Sequence, residues 1–175
     1  VTAPAYRIVA ARAEDVERLP AIERAAAALF PEEDLPEAQR DSSTDVGDFE
    51  RARREARLWV ALDARERPVG FALLDELDGV GHLEELDVHP DHGRQGLGRR
   101  LLEAALDGCR ARGHAACTLT TFAHLAWNAP FYVSAGFRVL GREELSPGLA
   151  ACLEAEARQG LDPTRRVAMR RELVG

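Results

Sequence analysis

Residues 92–99 read HGRQGLGR, and their three glycines, Gly93, Gly96 and Gly98, separate a strand-like run, HLEELDVHPD, from a helix-like run, RRLLEAALDGC. No other stretch narrows the choice of fold as much. Glycine loses more backbone freedom on folding than any other residue. Three of them in six positions therefore mark a turn that needs positive φ or the close approach of another group. A strand, such a turn and a helix start together aim backbone amides at an anion. The first N–H groups of a helix lack internal partners and stand at the positive end of its dipole. Arg94, Arg99 and Arg100 add formal charge beside it. Two other phosphate turns are excluded. The G-x-G-x-x-G pattern fails because Gly96-Leu97-Gly98 meets Leu101 at its last position, and a P-loop needs a lysine, which this chain lacks throughout. Taken alone, a glycine-rich turn before an ordinary helix also accounts for the pattern.

The flanking segments fill out a mixed chain. Strand-like runs fall at 6–12, 57–63, 68–77 and 81–90, and the short polar breaks between the last three suit antiparallel hairpins. The apolar, β-branched run 117–122 fits a buried strand, and 137–145 and 165–173 read as two more. Helical spacing marks 13–30, 97–111 and 147–160, with shorter helices at 49–56 and at 128–137, where Gly136 closes the turn. Residues 31–48 are polar, acidic and Pro-containing, a long loop with a short helix of the kind that borders a binding site. For 175 residues of 46% hydrophobic composition this predicts one domain over 1–175. Its class is α/β (α+β), a mixed, mostly antiparallel central sheet of about seven strands with helices on both faces.

Charge and cysteine usage remove several functions. Thirty acidic residues against 23 arginines give a net charge of −7, which argues against a nucleic-acid surface. No apolar run approaches the length of a membrane span. The stretch VTAPAYRIVA has no basic segment followed by an apolar one, so no secretory signal is expected and a cytoplasmic location follows. Cys109, Cys117 and Cys152 are odd in number and widely spaced, which makes neither a disulfide framework nor a metal-ligand pair, and no metal is expected.

Two motifs carry a family resemblance. LDVHPDHGRQGLGRRLLEAAL (86–106) resembles the acyl-coenzyme-A signature of the GNAT superfamily of N-acetyltransferases, and WNAPFYVSAGF (127–137) resembles that family's second signature. The element order matches it over residues 5–145. The resemblance implies a GNAT-like sheet and acetyl-CoA as cosubstrate, with the pyrophosphate held by the turn at Arg94, Gln95, Gly96, Leu97, Gly98 and Arg99. It also implies that strand backbone near Leu86, Asp87 and Val88 holds the pantetheine arm and acetyl oxygen, and that Asn128 contacts the coenzyme. A helix N-cap is the competing explanation for Asn128. One position departs from the pattern: where the family carries Gln or Arg, this chain has Gly93, with Arg94 one place late. Whether Arg94 replaces that contact or the turn gains a flexible joint stays open.

Acetyl transfer to an amine needs a proton acceptor for the amine and a proton donor for the departing thiolate. By the resemblance, Tyr132 is the donor, and a free tyrosine, titrating near pH ~10, is protonated at neutrality. For the acceptor, strict alternation along GHLEELDV sets His82, Glu84 and Leu86 on one face and Leu83, Glu85 and Asp87 on the other, unless a bulge intervenes. Glu84 is the expected base and His82 the alternative, with Glu85 and Asp87 as surface or substrate-orienting charges. The expected reaction is direct transfer in a ternary complex to a primary amine of a small molecule. The alternatives are a non-catalytic acyl-CoA-binding or regulatory module and a protein N-acetyltransferase. The acidic stretch 30–41 reads either as a solvated acidic loop or as a hint of a cationic amine, while Phe122 and Trp127 stand near the expected cleft. The helix at 146–160 and the final strand either complete the monomer's sheet or build a homodimer surface.

Overall fold

Asp78 and Gly79 both take positive φ, 53° and 78°, and so reverse the chain in two residues. β3 (Pro68–Leu77) thereby folds straight back on β4 (Val80–Val88), with Leu77 opposite Val80. The computed structural model describes residues 6–173; Val1–Ala5, half of the stretch read for a leader, and the last two residues of the expected 1–175 domain lie outside the described residues. β1 (Arg7–Ala10) and β2 (Leu58–Leu62) extend the antiparallel meander at one edge. α4 (Leu97–Ala111) then carries the chain back, so that β5 (Ala116–Phe122) runs parallel to β4. β7 (Arg166–Glu172) pairs antiparallel with β5, and β6 (Arg138–Val139) pairs with β7. The order is β1-β2-β3-β4-β5-β7-β6, one seven-stranded mixed sheet with a single parallel pair, as the sequence predicts.

Helices cover both faces. α4 buries Leu97, Leu101, Leu102, Ala105, Leu106 and Cys109 against Ala72, Leu74, Leu83 and Leu119. Each such leucine contributes about 1.5–3 kcal/mol by leaving water. Gly108 makes room for Trp59 of β2 against α4; a Cβ built there would stand 2.3 Å from the Trp59 ring. On the opposite face α1 (Leu19–Ala27) and α3 (Val46–Arg54) pack Leu19, Ile22, Phe49 and Ala52 on Leu58, Val60, Leu62, Phe71 and Leu73.

Three elements differ from the expected ones. The helix read at 13–30 is a 3-10 segment, Ala13–Arg18, followed by α1, because Pro20 has no N–H and is tolerated only in a first helical turn. α3 starts earlier than residue 49, where the Asp45 side chain accepts from Gly47 N at 2.7 Å. The loop that precedes it carries the expected short helix, α2 (Glu37–Arg40). The strand at 137–145 shrinks to Arg138–Val139, since Glu144 folds back to accept from Gly141 N and closes a 3-10 turn over Arg142–Glu144. Two helices complete the chain, α5 (Ala129–Ser134) and α6 (Pro147–Arg158).

Candidate functional site

β4 and β5 form a fork. Among the described residues they pair only at Gly81–Cys117 and His82–Thr118, after which they diverge. The cause lies in β4. Leu74 faces Leu83 but Leu73 faces Glu85, so Glu84 is an extra residue, a bulge that bends the strand at the point of parting. The bulge also overturns the simple alternation. Leu83, Leu86 and Val88 all pack toward α4, so the backbone rather than the side chains of Leu86 and Val88 is left for the fork. Glu85 and Asp87 stand opposite Leu73 and Phe71, on the face that α1 covers.

Beyond the free end of β4, at the open side of the fork, the glycine-rich turn takes the predicted strand–turn–helix form. Gly93 is extended at φ −62°, ψ 161°, whereas Arg94 (φ 59°) and Gly96 (φ 72°) are left-handed. A left-handed arginine is uncommon and costs about 1–2 kcal/mol; such strain persists where function needs the backbone shape. Gly96 is the N-cap of α4 and supplies no capping side chain, so the first amides of the helix stay without a protein partner among the described residues. A Cβ on Gly96 would meet nothing within 4 Å. Orphan amides, the helix dipole and open space suit a diphosphate. Arg94 and Gln95 are exposed beside this cradle. Leu97 is a core residue that offers only its amide, and Arg99 is engaged with α5, donating to Ser134 Oγ at 2.5 Å and lying 5.1 Å over the Phe131 ring.

α5 brings Tyr132 to the fork. Its ring packs edge-on to Phe131 and Phe137 at 5.1 and 5.7 Å; the residue is half-buried, and its hydroxyl, without a hydrogen-bond partner among the described residues, is open to solvent. Burial first, then the charges of Glu85 and Asp87, raise the phenol above its ordinary value, so it keeps its proton at neutral pH. Asn128 does not cap α5. Its Oδ1 accepts from Thr121 Oγ1 at 2.7 Å and from Phe122 N at 3.4 Å, which ties the start of α5 to β5.

The acceptor face of β4 is acidic. Glu85 and Asp87, expected as surface or substrate-orienting charges, are half-buried on one face, and burial raises both carboxyls, with Glu23 of α1 adding negative charge. Glu84, the expected base, is exposed at the rim; burial of its surroundings and the charges of Asp75 and Glu156 raise it. His82 stands behind it, buried. Thr118 Oγ1 donates its one proton to Gly81 O at 3.3 Å, so His82 Nδ1 donates to Thr118 Oγ1 at 2.9 Å. That tautomer leaves Nε2 bare, 3.8 Å from Glu84 Oε2, and burial lowers His82 enough to keep it neutral. A bidentate Arg166–Glu156 pair, with Thr120 donating to Glu156, closes the far wall between β7, α6 and β5. Alternation alone sets Glu85 and Asp87 on one face; the bulge turns that face toward α1, where the charge of Glu23 reaches both. Among the described residues no cluster of His, Cys, Asp and Glu is arranged to hold a metal, and no helix is long and apolar enough to cross a membrane.

A family model described as acetyltransferase (GNAT) family matches residues 19–137. The peptidyl-lysine N-acetyltransferase YjaB of Escherichia coli K12 is 39% identical over 93 residues, 52% of this chain and 56% of that one. The chain thus spans about half the length of the curated relatives it matches. A GNAT-family acetyltransferase structure from Staphylococcus aureus Mu50 superposes with a TM-score of 0.75 over 97% of this chain and 100% of that one, at 20% identity. The PaiA N-acetyltransferase of Thermoplasma acidophilum, in complex with coenzyme A, gives 0.67 over 96% and 99%, at 18% identity.

Proposed function

We propose that this chain, which belongs to the acetyltransferase (GNAT) family, transfers the acetyl group of acetyl-CoA to the side-chain amine of a protein lysine. Acetyl-CoA bound at the fork would supply a thioester, an acyl group already activated toward amines. The observation that carries the reading is Tyr132, a protonated phenol without a hydrogen-bond partner among the described residues, set at a fork whose other side bears two carboxyls raised by burial. The turn from Arg94 to Arg99 would hold the diphosphate through backbone N–H groups, and the free edge of β4 at Leu86 and Val88 would hold the arm by main-chain bonds. Asn128 fixes the start of the helix that presents Tyr132.

Two proton movements fall to side chains. Tyr132 Oη holds the proton that a departing thiolate requires. The acceptor ammonium gives up its proton to the face of β4, where Glu85 and Asp87 are the pair of carboxyls whose charge reaches Tyr132 and the expected Glu84, beside His82, stands at the exposed rim. The pair titrates as a unit; while it holds one negative charge it both attracts a cation and accepts a proton. Lysine as the acceptor draws support from the relatives' printed activity and from the negative charge of Glu23, Glu84, Glu85 and Asp87 on this face.

Turnover of a panel of lysine peptides and free amines with acetyl-CoA, read by thiol release and by acetyl gain in mass spectrometry, tests this. Lysine peptides are expected to show the higher kcat/KM. A free amine that surpasses them makes the acceptor a small molecule, and tight acetyl-CoA binding without turnover on any amine makes the chain a binding module.

The pair also sets a pH dependence. Asp87 is raised to about 7, so kcat/KM for the amine is expected to climb as pH rises through that region and the pair loses its proton. Asp87→Asn removes the group that titrates there and leaves Glu85, which burial holds well above its ordinary value. The rising limb should move to higher pH, with a loss of about tenfold at neutral pH. Glu84→Gln should leave the limb in place; a limb that moves with Glu84→Gln and stays with Asp87→Asn assigns the base to the Glu84–His82 pair instead.

A further inference from the structure

The segment between α1 and α3 carries an anchor that the proton chemistry does not use. Asp34 is 1% exposed, and both its oxygens are engaged. Arg165 Nη1 donates to Oδ1 at 2.6 Å, and His124 Nε2 lies 3.0 Å from Oδ2. Burial works against this carboxylate, but the bonds from Arg165 and His124 outweigh it and hold Asp34 below the usual range. The partners are informative by their origin. His124 follows β5 and Arg165 precedes β7, both on the far side of the fork, whereas Asp34 belongs to the chain leaving α1, which packs on β3 and β4.

The link therefore spans the opening between the two halves of the sheet. Apolar packing accompanies it, since Phe30 and Leu35 lie against Phe122, Leu125 and Leu161. The Phe30 ring stands 5.5 Å from Phe122 and 6.0 Å from Trp127, which is 49% exposed. Arg40 locks the bend by donating to the carbonyls of Leu35 and Phe30. At the other end of the strap, Thr44 donates both N and Oγ1 to Glu23, the same carboxylate whose charge reaches Glu85 and Asp87.

We propose that Asp34 is a positioning residue for the acceptor: by bridging the fork to His124 and Arg165 it fixes the strap 30–44 as the wall against which the amine substrate sits. It acts through Glu23 at one end of the strap and through the Phe30–Trp127 edge at the other, and it does not touch the donor cradle at α4. The inference rests on the acetyl-transfer reading. A merely structural carboxylate would weaken donor and acceptor binding together, or neither; this one affects the acceptor alone.

Asp34→Asn and Arg165→Met are compared with wild type for acceptor KM, kcat, acetyl-CoA affinity and hydrogen exchange. The acceptor KM should rise by about tenfold or more, since small displacements of a substrate-positioning wall are costly. Acetyl-CoA affinity should stay within about twofold, and exchange should quicken across 31–44 but not in α4. Because Asp34→Asn leaves a buried group poorly paired, His124→Gln serves as the folding-safe variant. Its amide can still donate to Asp34, so it should keep near-wild-type KM, whereas His124→Ala should not. An Asp34→Asn enzyme with unchanged acceptor KM, or with donor affinity lost in step, overturns the inference while wild-type turnover upholds the reading. A wild type that releases no thiol with any amine overturns both.

Discussion

Tyr132→Phe is expected to lower kcat by about 10²–10³-fold while leaving acetyl-CoA affinity within about twofold. The ring is the structural part of this residue, since it packs against Phe131 and Phe137, and phenylalanine keeps it. The hydroxyl has no protein partner among the described residues, so its removal should change stability by less than about 0.5 kcal/mol. What disappears is a proton held at the fork by a phenol that burial and two carboxylates keep from ionising. Stopped-flow or steady-state kinetics beside calorimetric titration of acetyl-CoA separates the two quantities. Equal losses in both would make Tyr132 a binding group, and no loss in either would remove it from the chemistry.

Gly96→Val should act on the opposite quantity. The site holds φ at 72°, a conformation in which an L-residue costs about 1–2 kcal/mol and a β-branched one more. The added side chain would enter the open space above the first amides of α4. The free protein can relieve the strain by letting the turn swing out of shape, but a bound diphosphate cannot be gripped by amides so displaced. Acetyl-CoA is therefore expected to bind about 10–100-fold more weakly, the equivalent of about 1.4–2.8 kcal/mol. At saturating donor, kcat should be nearly preserved. Wild-type affinity in this variant would mean that the amides ahead of Leu101 are not what holds the donor.

Much of this architecture is legible in the chain because it is local. The hairpins of β2, β3 and β4, the apolar stripe of α4 and the turn before it each rest on residues within a few positions of one another. The bulge is a different matter. Counting along GHLEELDV cannot show that Glu84 has no partner in β3, and one unpaired residue is enough to move Glu85 and Asp87 to the face of His82. The same limit applies to Asp34. The acidic run 30–41 reads as solvated charge, yet Asp34 meets Arg165, which is 131 positions away. Pro20 was the readable exception, a local cue that cuts the first helix short at its start.

The missing Cβ of Gly108 has a mechanical consequence at the other end of its helix. Gly108 lies twelve positions after Gly96, or about 18 Å along a rise of 1.5 Å per residue. With the Trp59 ring as fulcrum, α4 is a lever whose long arm ends at the diphosphate. A single methyl at Gly108 would wedge against that ring and tip the arm, so that a change near the far end of the helix registers as altered coenzyme affinity.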